Sequence, residues 1–187
     1  MNKYNPHIHN RKSTRLKGYD YSQDGAYFIT ICCHEHNCLF GEVINGEMVL
    51  NAYGKIAYNE WSKTPEIRNN VELDVFVIMP NHLHGIIILN GGRGESNSPD
   101  TNIKSHLQNT TDKSNSPQCG TSNTVGAIVR GFKSAVTKQL NELNIDCKIW
   151  QRNYYDHIIR NEESYINISN YIINNPEKWE DDKFYRK

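Results

Sequence analysis

Two runs suited to β-strands, VELDVFVIM at 71–79 and HLHGIIIL at 82–89, are separated by Pro80 and Asn81 alone. A connection that short cannot cross a sheet, because a parallel pair needs a crossover of about a dozen residues or more. The two runs must therefore pair antiparallel. The same constraint recurs between Leu39 and Leu50, where Asn45-Gly46 divides two short apolar stretches and signals a hairpin. Tyr27 to Cys33 (YFITICC) reads as another strand, and Lys148 to Ile159 as a strand-like stretch. Helical spacing occurs in three places. Asn51 to about Ile67 carries Tyr53, Ile56, Ala57 and Trp61, with Pro65 limiting its end. Val125 to Leu143 puts Ile128, Val129, Phe132, Val136 and Leu140 on one stripe. Asn161 can cap a helix that opens with Glu162 and Glu163 and stops before Pro176. This order predicts an α+β fold, a mostly antiparallel sheet with helices on one or both faces.

At 187 residues the chain suits a single domain spanning 1–187 with a real hydrophobic core. Asn90 to Asn123 is rich in Asn, Ser, Thr and Gly and nearly free of large apolar side chains. Such a segment cannot bury enough surface to offset its ordering entropy, so a flexible polar insert is expected there. No apolar stretch reaches the roughly 18 residues of a membrane span, and the first residues lack the apolar centre of a signal peptide. A cytoplasmic protein with no membrane partner is the expectation. Five cysteines, odd in number and irregularly spaced, argue against a disulfide framework. The formal net charge is zero, so bulk electrostatics gives no support for nucleic-acid binding. Locally, Lys3, Arg11, Lys12, Arg15 and Lys17 face only Asp20, which makes an arm suited to phosphates or a solvated terminus.

Six of the eight histidines fall in His-x-His pairs: His7/His9, His34/His36 and His82/His84. Such a pair converges on one ligand only along extended backbone, with an apolar residue between pointing into the core. His82-Leu83-His84 meets both conditions. His34-Glu35-His36 has a charged centre and reads as a turn, and His7-Ile8-His9 lies in the polar arm. CCHEHNC invites a zinc reading through Cys32, Cys33, Cys38 and a histidine, but it lacks paired C-x2-C spacing. Two adjacent imidazoles would repel if both were protonated, which makes a shared ligand at His82 and His84 attractive. Two polar-face histidines without a ligand are the plain alternative.

A catalytic metal needs a further group on a rigid element. In NEESYINISNYIINNP, Tyr171 and Asn175 stand four apart and are neighbours on a helix surface. Of the eleven tyrosines only Tyr19 and Tyr171 have an amide or carboxylate at that spacing, and Tyr19 lies in turn-like sequence. Ordinary surface residues are again the alternative.

MPNHLHGIIIL resembles the His-hydrophobic-His (HUH) motif. WQRNYYDHIIRN, followed by the helix with Tyr171 and Asn175, resembles the C-terminal part of single-tyrosine HUH transposases, in particular the REP-associated tyrosine transposases. RLKGYDYSQDGAYFITICC is similar to the start of members of that group, so the resemblance covers nearly the whole chain outside the polar insert. It implies a ferredoxin-like antiparallel sheet with helices packed on it. It also implies His82, His84 and Asn175 as metal ligands and Tyr171 as nucleophile. Many insertion-sequence relatives carry glutamine where Asn175 stands, so asparagine points to the REP-associated branch.

Two imidazoles and an amide oxygen suit Mg²⁺ or Mn²⁺ on a phosphate. The implied reaction is cleavage and rejoining of single-stranded or hairpin DNA through a 5′-phosphotyrosine. DNA contacts are expected from Arg11, Lys12, Arg15 and Lys17, from Arg130, Lys133 and Lys138, and from the rings of Tyr154 and Tyr155. His157 is a candidate proton acceptor or a structural histidine. A homodimer, with Tyr171 serving its own site or a partner's, is compatible with the sequence. The competing readings are a catalytically silent DNA-binding module of the same fold and a zinc protein.

Overall fold

The β-type runs assemble into one sheet because each has an apolar face to hide and an antiparallel neighbour in reach. The computed structural model describes residues 16, 18–90, 123–145 and 147–186. The elements are β1 (Gly25–Cys32), β2 (Gly41–Ile44), β3 (Glu47–Leu50), α1 (Ala52–Ser62), α2 (Thr64–Ile67), β4 (Val71–Met79), β5 (His82–Leu89), α3 (Val125–Glu142), β6 (Tyr155–Ile159) and α4 (Glu162–Ile173). Four strands form one sheet in the order β4-β5-β1-β6, and every neighbouring pair is antiparallel. With α1 between β1 and β4, and α3 between β5 and β6, this is the βαββαβ arrangement of a ferredoxin-like fold. β2 and β3 form a separate hairpin whose turn residues Asn45 and Gly46 both have positive φ, as a tight two-residue turn requires.

Strand alternation gives the sheet two different faces. Tyr27, Ile29 and Ile31 of β1, with Leu83 and Ile87 of β5, join Trp61 of α1 and Phe132, Val136 and Leu140 of α3 in the main core. Gly85 makes this packing possible. A Cβ there would lie 2.9 Å from the Phe76 Cβ and 3.4 Å from the Trp61 ring. On the opposite face β1 presents Phe28, Thr30 and Cys32, and β5 presents His82 and His84, with Thr30 beside His84 and Cys32 beside His82. Helix α4 packs on this second face over β4 and β5, and its start is fixed by the Asn161 side chain, which accepts from the Ser164 N–H at 2.8 Å.

Two expectations need correcting at their ends. Pro65 does not end the first helix; α1 stops at Ser62, and Pro65 lies in the first turn of α2, where its missing N–H costs nothing. Of Lys148 to Ile159 only Tyr155–Ile159 is a strand, preceded by a lone bridge between Cys33 and Trp150. The backbone between them bends, and the Lys133 ammonium donates to the carbonyls of Gln151 and Asn153 at 2.7 and 2.9 Å. His34–His36 is a single 3-10 turn with Glu35 and His36 at positive φ, as a turn reading requires. The polar insert at 90–123 lies, from 91 to 122, outside the described residues. Among the described residues no helix is long and apolar enough to cross a membrane.

Candidate active site

His82 and His84 are fully buried, with ring centroids 4.3 Å apart. Their outer nitrogens are held by neighbours. Asn81, itself fully buried, donates both amide protons to backbone carbonyls, to His36 at 3.0 Å and Phe184 at 2.8 Å. Its oxygen is thereby turned to His82 Nδ1 at 2.9 Å and can only accept. His82 Nδ1 must carry the proton, and Nε2 is left as a bare lone pair. His84 Nδ1 is 2.8 Å from the Thr30 hydroxyl, its cross-strand partner. This is the outer support that orients imidazole ligands in metal sites. Burial pushes the His82 pKa down to about 4, against the opposing pull of Asp182 and Asn175. Burial, then the neighbouring His82, also holds His84 well below the ordinary histidine range. Both rings are therefore neutral at physiological pH.

The last helix brings Tyr171 and Asn175 to these rings. The Tyr171 hydroxyl is 3.1 Å from His84 Nε2 and donates to Asp182 Oδ2 at 3.0 Å. Asn175 is buried and donates its amide to the same Asp182 oxygen at 2.8 Å. A carboxylate only accepts, so the Asn175 oxygen must point away from it. That oxygen and His82 Nε2 are both buried with no hydrogen-bond donor among the described residues. Buried acceptors without donors are uncommon in folded proteins, and a cation satisfies both at once.

Asp182 is the member that sequence reasoning missed. One donor atom from each of His82, His84 and Asp182 lies within 4.8 Å of the others, which is the only such trio among the described residues. Burial pushes its carboxyl up, but the Phe184 N–H, the Asn175 amide and nearby His82 outweigh that and hold it below the usual range. It stands in WEDDKFYRK beside two other acids, with no spacing that separates it from solvated charge. It reaches the site because the chain turns back after α4 and lays Phe184 against both histidines, at 4.9 and 6.0 Å between ring centroids. Lys183, on the same turn, places positive charge close enough to depress both histidines further. For Tyr171, burial and then the Asp182 charge hold the phenol above its ordinary range, so it rests as a neutral donor.

The remaining candidates are distributed differently. Arg11, Lys12, Arg15 and Lys17 lie outside the described residues. Arg130 is exposed on α3, which packs on the opposite face of the sheet. Lys133 is half-buried against Trp150, held by two carbonyls, and burial lowers its pKa to about 8. Tyr155 is exposed on the histidine side of β6, whereas Tyr154 packs against the main core. Cys32 and Cys33 are buried and Cys38 is exposed, and no cysteine-histidine metal cluster forms among the described residues.

A buried pair of neutral imidazoles, a carboxylate and an amide oxygen without a donor among the described residues, with a phenol in contact, defines a candidate cation site on a ferredoxin-like sheet. The chain is 48% identical over 184 residues to an uncharacterized protein of Haemophilus influenzae, covering 98% of this chain and 97% of that one, and it belongs to the same family. No protein-family model matches it. Among solved structures it is similar to a REP-associated tyrosine transposase bound to a REP hairpin, with a TM-score of 0.57 and 19% identity, covering 88% of this chain and 74% of that one. That likeness establishes a shared fold.

Proposed function

We propose that the protein cleaves and rejoins single-stranded DNA, with Tyr171 as nucleophile and a divalent cation held by His82, His84 and Asn175, joined by Asp182. The observation that carries this reading is the Tyr171 hydroxyl, in contact with both His84 Nε2 and Asp182 Oδ2. A bound Mg²⁺ or Mn²⁺ would supply Lewis-acid polarisation of a phosphodiester oxygen. The donor set fits such an ion, because His82 Nε2 and the Asn175 oxygen are buried and have no hydrogen-bond partner among the described residues.

In the reaction Tyr171 oxygen attacks phosphorus and its proton passes to the Asp182 carboxylate, the acceptor already in place at 3.0 Å. The bond from phosphorus to the 3′-oxygen breaks, and that oxygen leaves as a 3′-hydroxyl after taking up a proton. The 5′-phosphate stays on the tyrosine, so the phosphoester energy is kept, and a second 3′-hydroxyl can displace the phenol and reseal the strand. Burial, and then the Asp182 charge, hold the phenol above its ordinary range, so Tyr171 stays a neutral donor until a base takes its proton. Lys183 contributes attraction for the incoming phosphate.

The solved transposase of like fold is bound to a REP hairpin, which supports hairpin-flanked single strands as the substrate class here. The test is covalent capture. A denaturing gel of protein incubated with single-stranded hairpin DNA and Mn²⁺ should show an adduct that Tyr171→Phe abolishes. An adduct persisting in that variant would move the nucleophile elsewhere, first to Tyr165, whose hydroxyl donates to Asp74. DNA binding with no adduct under any cation would identify a catalytically silent DNA-binding module.

A further inference from the structure

Helix α4 covers β4 and β5 but leaves a wide-open surface cavity of about 540 Å³ toward β1 and β6. Its floor is Phe28 and His157, cross-strand partners on the histidine face, and its wall is Asn161, Ser164, Asn167 and Ile168 of the first turns of α4. The Tyr171 hydroxyl is bonded instead to His84 Nε2 and Asp182 Oδ2. Phe28 nevertheless joins the cavity to the centre. Its ring centroid is 5.3 Å from that of His84 and 6.2 Å from that of Tyr171, the latter edge to face.

The chemistry of the lining selects its occupant. Among the described residues no lysine or arginine borders the cavity, whereas Glu163 does, which disfavours a phosphodiester there. An aromatic face, an imidazole and the exposed Asn167 amide, which offers donor and acceptor side by side, suit the flat face and polar edge of a nucleobase. A base resting on Phe28 belongs to a nucleotide whose phosphate reaches toward Tyr171. Asn167 also borders a second cavity, of about 370 Å³, lined by Asn170, Tyr171, Asn174 and Lys178. Asp181 and Asp182 line this second cavity too, and Asn167, shared by both, links the first cavity to Tyr171 along α4.

We propose that the Phe28–His157–Asn167 cavity is a nucleobase subsite that holds one unstacked base beside the cleaved phosphodiester, stacked on Phe28 and read by Asn167. This rests on the strand-transfer reading and names how that site selects its cut. Photo-crosslinking tests it without requiring cleavage. Full-length protein is irradiated with a randomised single-stranded DNA library carrying 5-bromodeoxyuridine, and crosslinked peptides are mapped. Adduct yield is measured separately with Mn²⁺ on oligonucleotides varied base by base around the cut. Crosslinks should fall on Phe28 and His157, and Asn167→Ala, an exposed helix position, should reduce them about tenfold while flattening base preference next to the cut. Crosslinks absent from both peptides, or unchanged in Asn167→Ala and Phe28→Leu, would overturn the subsite. Crosslinks without any adduct would keep the subsite and refute strand transfer, whereas adducts without these crosslinks would do the reverse.

Discussion

Asn81 controls more of the site than its place in the sequence suggests. Two carbonyls fix its amide, its oxygen fixes the His82 tautomer, and that tautomer leaves Nε2 free for a cation. Asn81→Leu should therefore weaken Mn²⁺ binding by about 10- to 100-fold, the usual cost of losing such support. Titration calorimetry on the folded variant checks this, and an unchanged affinity would mean that His82 is not a ligand. The paired histidines of β5 and the helix bearing Tyr171 and Asn175 were legible in the sequence because alternation and four-residue spacing are local rules. Their metal and nucleophile roles came only from the family resemblance. Asp182, Thr30 and Asn81 were not legible. Their roles depend on which chain segments return to the histidine face, and no local pattern encodes that.

At the scale of elements, β5 carries two constraints in adjacent residues. His84 faces the site, while Gly85 lets Trp61 lie on the other face. Gly85→Ala should destabilise the fold by about 1–3 kcal/mol, since the clashing Phe76 Cβ is anchored to its backbone. Chemical denaturation measures that loss. Asn161→Ala, which removes the α4 cap, should cost about 1 kcal/mol in the same assay and lower adduct yield by loosening the tyrosine helix. Most elements followed from periodicity and turn chemistry. The exceptions were Pro65, which opens a second short helix, and Lys148–Ile159, whose first half gives up strand pairing where Lys133 satisfies its carbonyls. In both, a tertiary partner or a neighbouring turn decided between two locally acceptable structures.

At the scale of the whole molecule, one sheet separates a dry core from a polar centre, and burying two neutral histidines makes stability depend on pH. His82 titrates near 6.5 when unfolded and about 4 when folded. Between those values the unfolded chain takes up a proton that the folded chain refuses, so acid favours unfolding. His84 is shifted the same way. Asp182, lowered from an ordinary carboxylate value, contributes its loss only below this window. The metal-free protein should lose stability steadily as pH falls from about 6.5 to 4, seen as a falling denaturation midpoint. A flat or rising midpoint across that range would contradict neutral, buried histidines. The antiparallel topology was readable from connections too short to cross a sheet.

As the proposed nucleophile, Tyr171 carries the DNA strand through the reaction. Incubating the wild-type protein and Tyr171→Phe with single-stranded hairpin DNA and Mn²⁺, then resolving them on a denaturing gel, tests it directly. A covalent adduct is expected in the wild type, lost on chelation and absent from the folded variant. An adduct of equal yield in Tyr171→Phe, or none in the wild type despite DNA binding, would contradict it.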